Sequence, residues 1–165
     1  FGVRPKRGSL GYIPQRLGLV RHASVFHNVM LGARAGNSGP YSIFPDSKLR
    51  DLCLDSIRRM GLSEKIYEPI RRLSGGQQRR VAIARTMAQS PKIILADEFL
   101  SELDEKTLEM VKTEVVEFVR NESSTLIVVE HDVSRAKSIA DRMLVIDDGR
   151  VNPFISRTTA LEVKK

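Results

Sequence analysis

Ser74 is followed three residues later by Gln77, with two glycines between them. An Ala-rich run without glycine, Val81 to Gln89, comes next. This spacing predicts a capping box on the first turn of a helix. Such a turn directs unpaired N–H groups and the positive end of the helix dipole outward. Gly75 and Gly76 lack a Cβ, so an anion can approach the backbone closely. The direct reading is a phosphate-binding helix start; the plainer one is a capped helix whose glycines only shape a turn. A second candidate is the pair Asp97-Glu98, which closes the apolar run Ile93-Ile94-Leu95-Ala96. A short apolar run after the Ser90-Pro91 break predicts a buried parallel strand. Carboxylates at the C-terminal end of such a strand sit where α/β sheets hold their ligands. A third candidate is His131 in Glu130-His131-Asp132, directly after Thr125 to Val129. That β-branched apolar run predicts another buried strand, which puts His131 at the same sheet edge as Asp97 and Glu98.

The bulk properties restrict what can position these groups. A chain of 165 residues with 41% apolar content has room for one soluble domain with a real core. No apolar run approaches a membrane span and no signal peptide is visible. The single Cys53 excludes an internal disulfide framework, and with no signal peptide a reducing cytosolic setting is expected. The chain opens on Phe1 rather than Met, as expected for a piece of something longer. The net charge of +7 is concentrated between Arg21 and Pro91, while the remainder is balanced. Such a segment suits nucleic acid, an anionic membrane surface or an acidic partner, or is simply a solvated helical face. No aromatic residues are interleaved with the charges as in single-strand binders.

Along the chain, Phe1 to Ser9 reads as a loop and Leu10 to Pro14 as a short strand stopped by the proline. Ser24 to Ala33 predicts a helix, and Gly36-Asn37-Ser38-Gly39-Pro40 a turn. Asp46 to Met60 predicts a second helix with Leu49, Cys53, Ile57 and Met60 on its apolar face, capped by Gly61. Leu62 to Tyr67 reads as one more helical turn. Glu105 to Arg120 predicts an amphipathic helix. Val133 to Ala140 predicts a helix and Arg142 to Ile146 a strand, turned at Asp147-Asp148-Gly149 into Arg150-Val151. Pro153 to Lys165 is a tail.

The string LSGGQQRRVAIARTMAQSPKIILADE resembles the ATP-hydrolysing domain of ABC proteins in both order and spacing. In that family LSGGQ is the signature motif and the strand ending in Asp-Glu is the Walker B motif. The resemblance implies an α/β fold: a P-loop NTPase-like, RecA-like, mostly parallel sheet core with an inserted α-helical subdomain. It divides the chain into a Q-loop strand and Q-loop (1–20), the helical subdomain with the signature (21–90), the Walker B, D-loop and H-loop core (91–152) and a tail (153–165). It assigns Glu98 as general base for the attacking water and Asp97 to Mg²⁺. Gln15 becomes the Q-loop glutamine that contacts metal and water, and His131 the switch histidine at the γ-phosphate. Ser74, Gly75, Gly76 and Gln77 would bind the γ-phosphate of an ATP held by another subunit. Ser101 and Asp104 match the D-loop, which couples two sites across a dimer. Phe99 departs from the proline usual after the glutamate, which bears on local loop geometry and not on the carboxylates.

A second departure is larger. No G-x-x-x-x-G-K-[ST] occurs in the chain, so the Walker A loop that supplies the main phosphate cradle is missing. The resemblance therefore covers roughly the C-terminal two-thirds of such a domain. In the family the Walker A strand lies between those corresponding to Thr125–Val129 and Arg142–Ile146, and its loss is expected to leave exposed apolar edges. The leading expectation is the ATPase subunit of a membrane transporter, using ATP and Mg²⁺. It would be cytoplasmic and peripheral on the inner face of the membrane, paired with permease subunits and a second ATPase subunit, with no nucleic acid partner. Gly18 to Gly32 looks most like importers of the phosphonate type, with an insertion near Pro40 to Pro45. The alternatives are a soluble ABC ATPase acting on nucleic acid or ribosomes, and a non-catalytic partner that lends only LSGGQ.

Overall fold

The computed structural model describes residues 5–37 and 47–152, in two compact units divided after Val129. The first unit holds β1 (Leu10–Ile13), α1 (Val25–Asn37), α2 (Ser47–Arg59), α3 (Gly75–Ala88), β2 (Ile93–Asp97), α4 (Glu105–Asn121) and β3 (Thr125–Val129). Single 3₁₀ turns at Ser63–Lys65 and Ile70–Arg72 join α2 to α3. The second unit holds α5 (Val133–Lys137), β4 (Val145–Asp147) and β5 (Arg150–Asn152). The Pro40–Pro45 insertion and the 153–165 tail lie outside the described residues.

The sheet of the first unit is parallel, in the order β1-β2-β3. Ile13 pairs with Ala96 and Asp97 with Val129, so the chain after β1 and the acidic end of β2 emerge at one edge. Ile13, Ile94 and Ala96 point into a core shared with Val81, Ile83, Phe99, Leu100, Val111 and Val115. β2 has a strand on each side and β3 is an outer strand among the described residues. β3 is therefore not the buried strand its composition predicts: Ile127 is 51% and Val129 56% exposed. The exposure is the apolar edge expected beside this strand, where the resemblance places the Walker A strand that the chain lacks.

Helix α3 is enclosed on most sides. Val81 to Ala84 and Thr86 to Ala88 are all buried. Helix α1 crosses it at backbone distance through Gly32 and Gly36, one turn apart. A methyl group on Gly32 would lie 2.0 Å from the Arg85 carbonyl oxygen, and one on Gly36 1.9 Å from that of Gln89. This contact also explains why α1 runs on to Asn37, past the Ala33 end the sequence predicts. Gly36 is held in the helix by packing that no local turn signal reports. Buried Asn28 on α1 is fully engaged: Oδ1 accepts from Val20 N–H, and Nδ2 donates to the carbonyls of Val20 and Ser24. Helix α2 ends at left-handed Gly61, as expected, and Arg80 on α3 donates to the carbonyls of Met60 and Gly61. Arg59 of α2 donates to Glu114 of α4 at 2.7 Å. The buried Cys53 thiol is pushed up to about 11 by burial, leaving it unreactive at neutral pH.

The second unit departs from expectation at two places. α5 stops at Lys137, three residues short, and β4 begins only at Val145, not at Arg142. Short elements have weak periodicity, so their bounds are set by capping: Asp132 accepts from the N–H groups of Ser134 and Arg135 and fixes the start of α5. The β4–β5 hairpin forms at Asp148-Gly149, both left-handed, as a two-residue hairpin requires.

Gly32→Ala should destabilise the first unit by about 1–3 kcal/mol, because the new methyl group meets backbone and not a movable side chain. A lowered urea midpoint checks this; an unchanged midpoint contradicts the close crossing. Asp104 caps α4 by accepting from Thr107 N–H, and hydrogen bonding from Thr107, its side chain first and its N–H second, holds the Asp104 carboxyl below the ordinary value of 3.8. A depressed carboxyl pKa adds stability at pH above the unfolded value, and that part is lost as pH falls through the folded one. Asp104→Asn should therefore flatten the acid limb of a stability–pH profile, leaving the limb above neutrality unchanged.

Candidate functional site

The tip of α3 has the geometry its spacing predicts. Ser74 Oγ accepts from Gln77 N–H at 3.3 Å, and Gln77 Oε1 accepts from Ser74 N–H at 3.0 Å. Both halves of the capping box are closed, so the helix starts without a frayed turn. Ser74 and Gly75 are exposed, and the tip opens onto a cleft of about 490 Å³. Its far wall is Glu102, Leu103 and Asp104, with Arg80 and Thr107 at the sides. The glycines fit this closeness: a methyl group on Gly75 would lie 3.0 Å from Glu102 Oε2, and one on Gly76 3.2 Å from the Glu102 carbonyl oxygen. Ser101 and Asp104, matched to the D-loop by the resemblance, belong to the loop that forms this wall. Asp104 itself is occupied as the cap of α4.

Asp97 is the last residue of β2, and Glu98 follows it in a left-handed backbone conformation at φ +47. Three contacts hold this turn. Glu98 N–H donates to the Val129 carbonyl at 3.0 Å; its own carbonyl accepts from Ser101 N–H at 3.0 Å and from Arg79 Nη1 at 3.1 Å. Phe99 is fully buried. The aromatic ring, where the family has proline, thus anchors the loop in the core instead of leaving it loose. A left-handed glutamate is strained and persists only because its surroundings fix it, a pattern concentrated at functional sites. Gln15 lies exposed two residues beyond β1, at the sheet edge where β2 also ends. His131 belongs to the second unit, exposed, between β3 and the Asp132 cap of α5.

The fit to ATP and Mg²⁺ is read from this donor set. Among the described residues no group of three His, Cys, Asp or Glu side chains can hold a metal ion. Asp97 therefore suits Mg²⁺ only as one oxygen in a shell completed by phosphate and water, which is how Mg²⁺ is commonly bound. The α3 tip suits a phosphate: exposed N–H groups, a dipole of the right sign and no Cβ in the way.

Two residues here escape a sequence reading. Arg79 is given no role by the sequence, yet it is 2% exposed and reaches Glu98 and, at 3.7 Å from Nη2, Glu102. Its spacing from buried Ala82, Ile83 and Thr86 is the helical period that could have placed it inside. Arg85 donates to the carbonyls of Leu17 and Gly18, tying the chain after Gln15 to α3. No local signal marks that long-range bond. No helix among the described residues is long and apolar enough to cross a membrane.

Comparisons with known proteins agree with this arrangement. The family model described as ABC transporter matches residues 2–101. The phosphonates import ATP-binding protein PhnC 1 of Oceanobacillus iheyensis is 39% identical over 170 residues, covering 98% of this chain and 65% of the relative. PhnC of Thiobacillus denitrificans is 37% identical over 151 residues, covering 90% and 58%. The chain thus spans about three-fifths of the length of these relatives. Among solved structures, a dimeric post-hydrolysis state of the ATP-binding cassette MJ0796, bound to ADP and Pi, superposes with a TM-score of 0.79 at 29% identity. It covers 90% of this chain and 62% of that one. A second dimeric MJ0796 structure, a bacterial ABC transporter cassette, gives 0.76 at 31% identity, covering 86% and 60%. With the signature tip and the acid-ended strand set on this parallel sheet, the chain belongs to the ABC transporter family, as part of its ATP-binding cassette.

Proposed function

We propose that this chain is the signature-bearing and Walker B-bearing part of an ATPase subunit that powers a phosphonate-type importer. The observation that carries the reading is the pairing of an exposed, fully capped, Cβ-free helix tip with a strand that ends in Asp97-Glu98. The names of the most similar relatives support the phosphonate assignment. In this reading residues 1–20 form the Q-loop strand and Q-loop, 21–90 the helical subdomain and 91–152 the remaining core. The partners are permease subunits and a second ATPase subunit, and the assembly sits on the cytoplasmic face of a membrane. The basic 21–91 segment faces the permease or anionic lipid.

ATP with Mg²⁺ supplies the phosphoryl bond that is cleaved and the charge neutralisation that cleavage needs. The chain's own groups then have separate tasks. Asp97 offers an oxygen toward the metal shell. Glu98 accepts the proton of the attacking water, and the strained turn held by Arg79, Ser101 and Val129 keeps its backbone from drifting. Gln15 and His131 orient the water and the γ-phosphate. Ser74, Gly75, Gly76 and Gln77 present donors to a nucleotide bound by the second subunit, so hydrolysis requires two subunits face to face. Asp104 lines the wall through which one site senses the other, and Ser101 belongs to the loop that carries it.

The test uses the chain with and without a phosphate loop. Joined to an upstream segment that supplies G-x-x-x-x-G-K-[ST], it should hydrolyse Mg-ATP, and Glu98→Gln should lower turnover by roughly 10² or more. Folding checked by circular dichroism should be unchanged by that substitution. The 165-residue chain alone should show no micromolar affinity for Mg-ATP in a calorimetric titration. Full activity of the Glu98→Gln protein would overturn the assignment of the base.

A further inference from the structure

The turn after β2, residues 98–102, begins and ends on strained backbone. Glu98 is left-handed at φ +47 and Glu102 at φ +61. Between them Phe99 and Leu100 are fully buried, so packing anchors the middle of the turn. Its two strained ends meet at one side chain. Arg79 Nη1 donates to the Glu98 carbonyl at 3.1 Å, and Nη2 lies 3.7 Å from Glu102 Oε1. The Arg79 side chain is 3% exposed, and its Nε is buried with no hydrogen-bond partner among the described residues. A guanidinium taken out of water is stabilised only where its nitrogens are well paired. Here one nitrogen makes a hydrogen bond, one attracts a carboxylate that is itself 65% exposed, and one is unused. A packed apolar side chain of similar length would serve stability as well. The buried charge is therefore explained by what it holds in place.

We propose that Arg79 is a positioning residue for hydrolysis, a clasp that closes the 98–102 turn at both ends and holds Glu98 where it can take the proton of the attacking water. The inference rests on the reading of Glu98 as the general base. The Glu98 carbonyl accepts from Ser101 N–H at 3.0 Å as well as from Arg79. The Ser101 bond lies inside the turn and moves with it. The Arg79 bond ties the turn to α3, a helix buried along most of its length. A left-handed glutamate without such a tie relaxes toward the commoner backbone regions, and that rotation swings its carboxylate off the water. Arg79 acts through Glu98 and not on the nucleotide. Its loss therefore slows the chemical step and leaves ATP binding as it was. Lysine cannot replace it, because a single ammonium lacks the planar fork that reaches two partners at once.

The experiment measures Mg-ATP hydrolysis by this chain joined to an upstream segment that supplies the phosphate loop. Wild type is compared with Arg79→Met, which keeps length and removes charge, and with Arg79→Lys, which guards against a folding failure of the first. Arg79→Met should lower kcat roughly tenfold or more with KM within about twofold of wild type, the loss expected for a misplaced catalytic group. Arg79→Lys should lose most of the same turnover. Each substitution is then combined with Glu98→Gln and followed in a single turnover. In that background neither should lower the rate further, because a residue acting through the base has nothing left to position. An equal fractional loss in both backgrounds, a raised KM at unchanged kcat, or full activity of either Arg79 variant overturns the proposal while leaving Glu98 as the base. If Glu98→Gln retains full turnover, or the joined wild type does not hydrolyse Mg-ATP, the reading of the site fails and the proposal falls with it.

Discussion

The close crossing of α1 over α3 governs most of what this fold can do. Gly32 and Gly36 let two helix backbones meet where any side chain would collide with a carbonyl. That approach lets Val25, Val29 and Ala33 seal one side of α3 while the sheet seals another. An enclosed helix is a rigid one, and rigidity is what an anion-binding tip needs, because donors that must be reordered on binding lose affinity. The tip at Ser74 is thus exposed at the end of a helix whose other residues are almost all fixed.

The same helix distributes its polar side chains as struts. Arg85 reaches the carbonyls of Leu17 and Gly18, and Gln89 those of Gly8 and Leu10. Arg80 reaches the end of α2, and Arg79 the turn at Glu98. Each bond runs from a charged or amide donor to a backbone carbonyl, so the loops around the sheet edge are held by their backbones while their own side chains stay available for chemistry. A basic α3 is therefore structural on its inner faces. Part of the positive charge in the 21–91 segment is spent inside the fold and is not offered to partners.

Much of this was legible in the residues. Ser74-x-x-Gln77 predicted a capping box that forms in full, Gly61 predicted a left-handed helix end, and Asp148-Gly149 predicted the hairpin. These are local signals, each decided within a few residues. The Asp97-Glu98 end of β2 was legible because a strand of the right length stops there. What stayed hidden depended on distant chain. Gly36 read as a turn and lies in a helix, because Gln89 packs against it. Thr125 to Val129 read as buried and is an outer strand among the described residues, because the chain lacks the Walker A strand that the family places beside it. Arg79 was given no role and is buried, because its partners lie in the loop after β2. Glu102 carried no signal at all until the loop around it placed its carboxylate beside the glycines.

The register of the sheet bears on how the chain reaches this state. Leu10 pairs with Ile93, so α1, α2 and α3 must all be gathered before β1 can join the sheet. Closing so long a loop is entropically unfavourable, and parallel pairing gives nothing back until it is closed. The α1–α3 crossing joins residues nearer in sequence than the β1–β2 pairing does, so it can form before β1 is placed. An order of assembly follows in which the α1–α3 crossing forms before β1 is added to the sheet. A lesion at Gly32 would then slow the approach to the native state as well as weaken the state once reached.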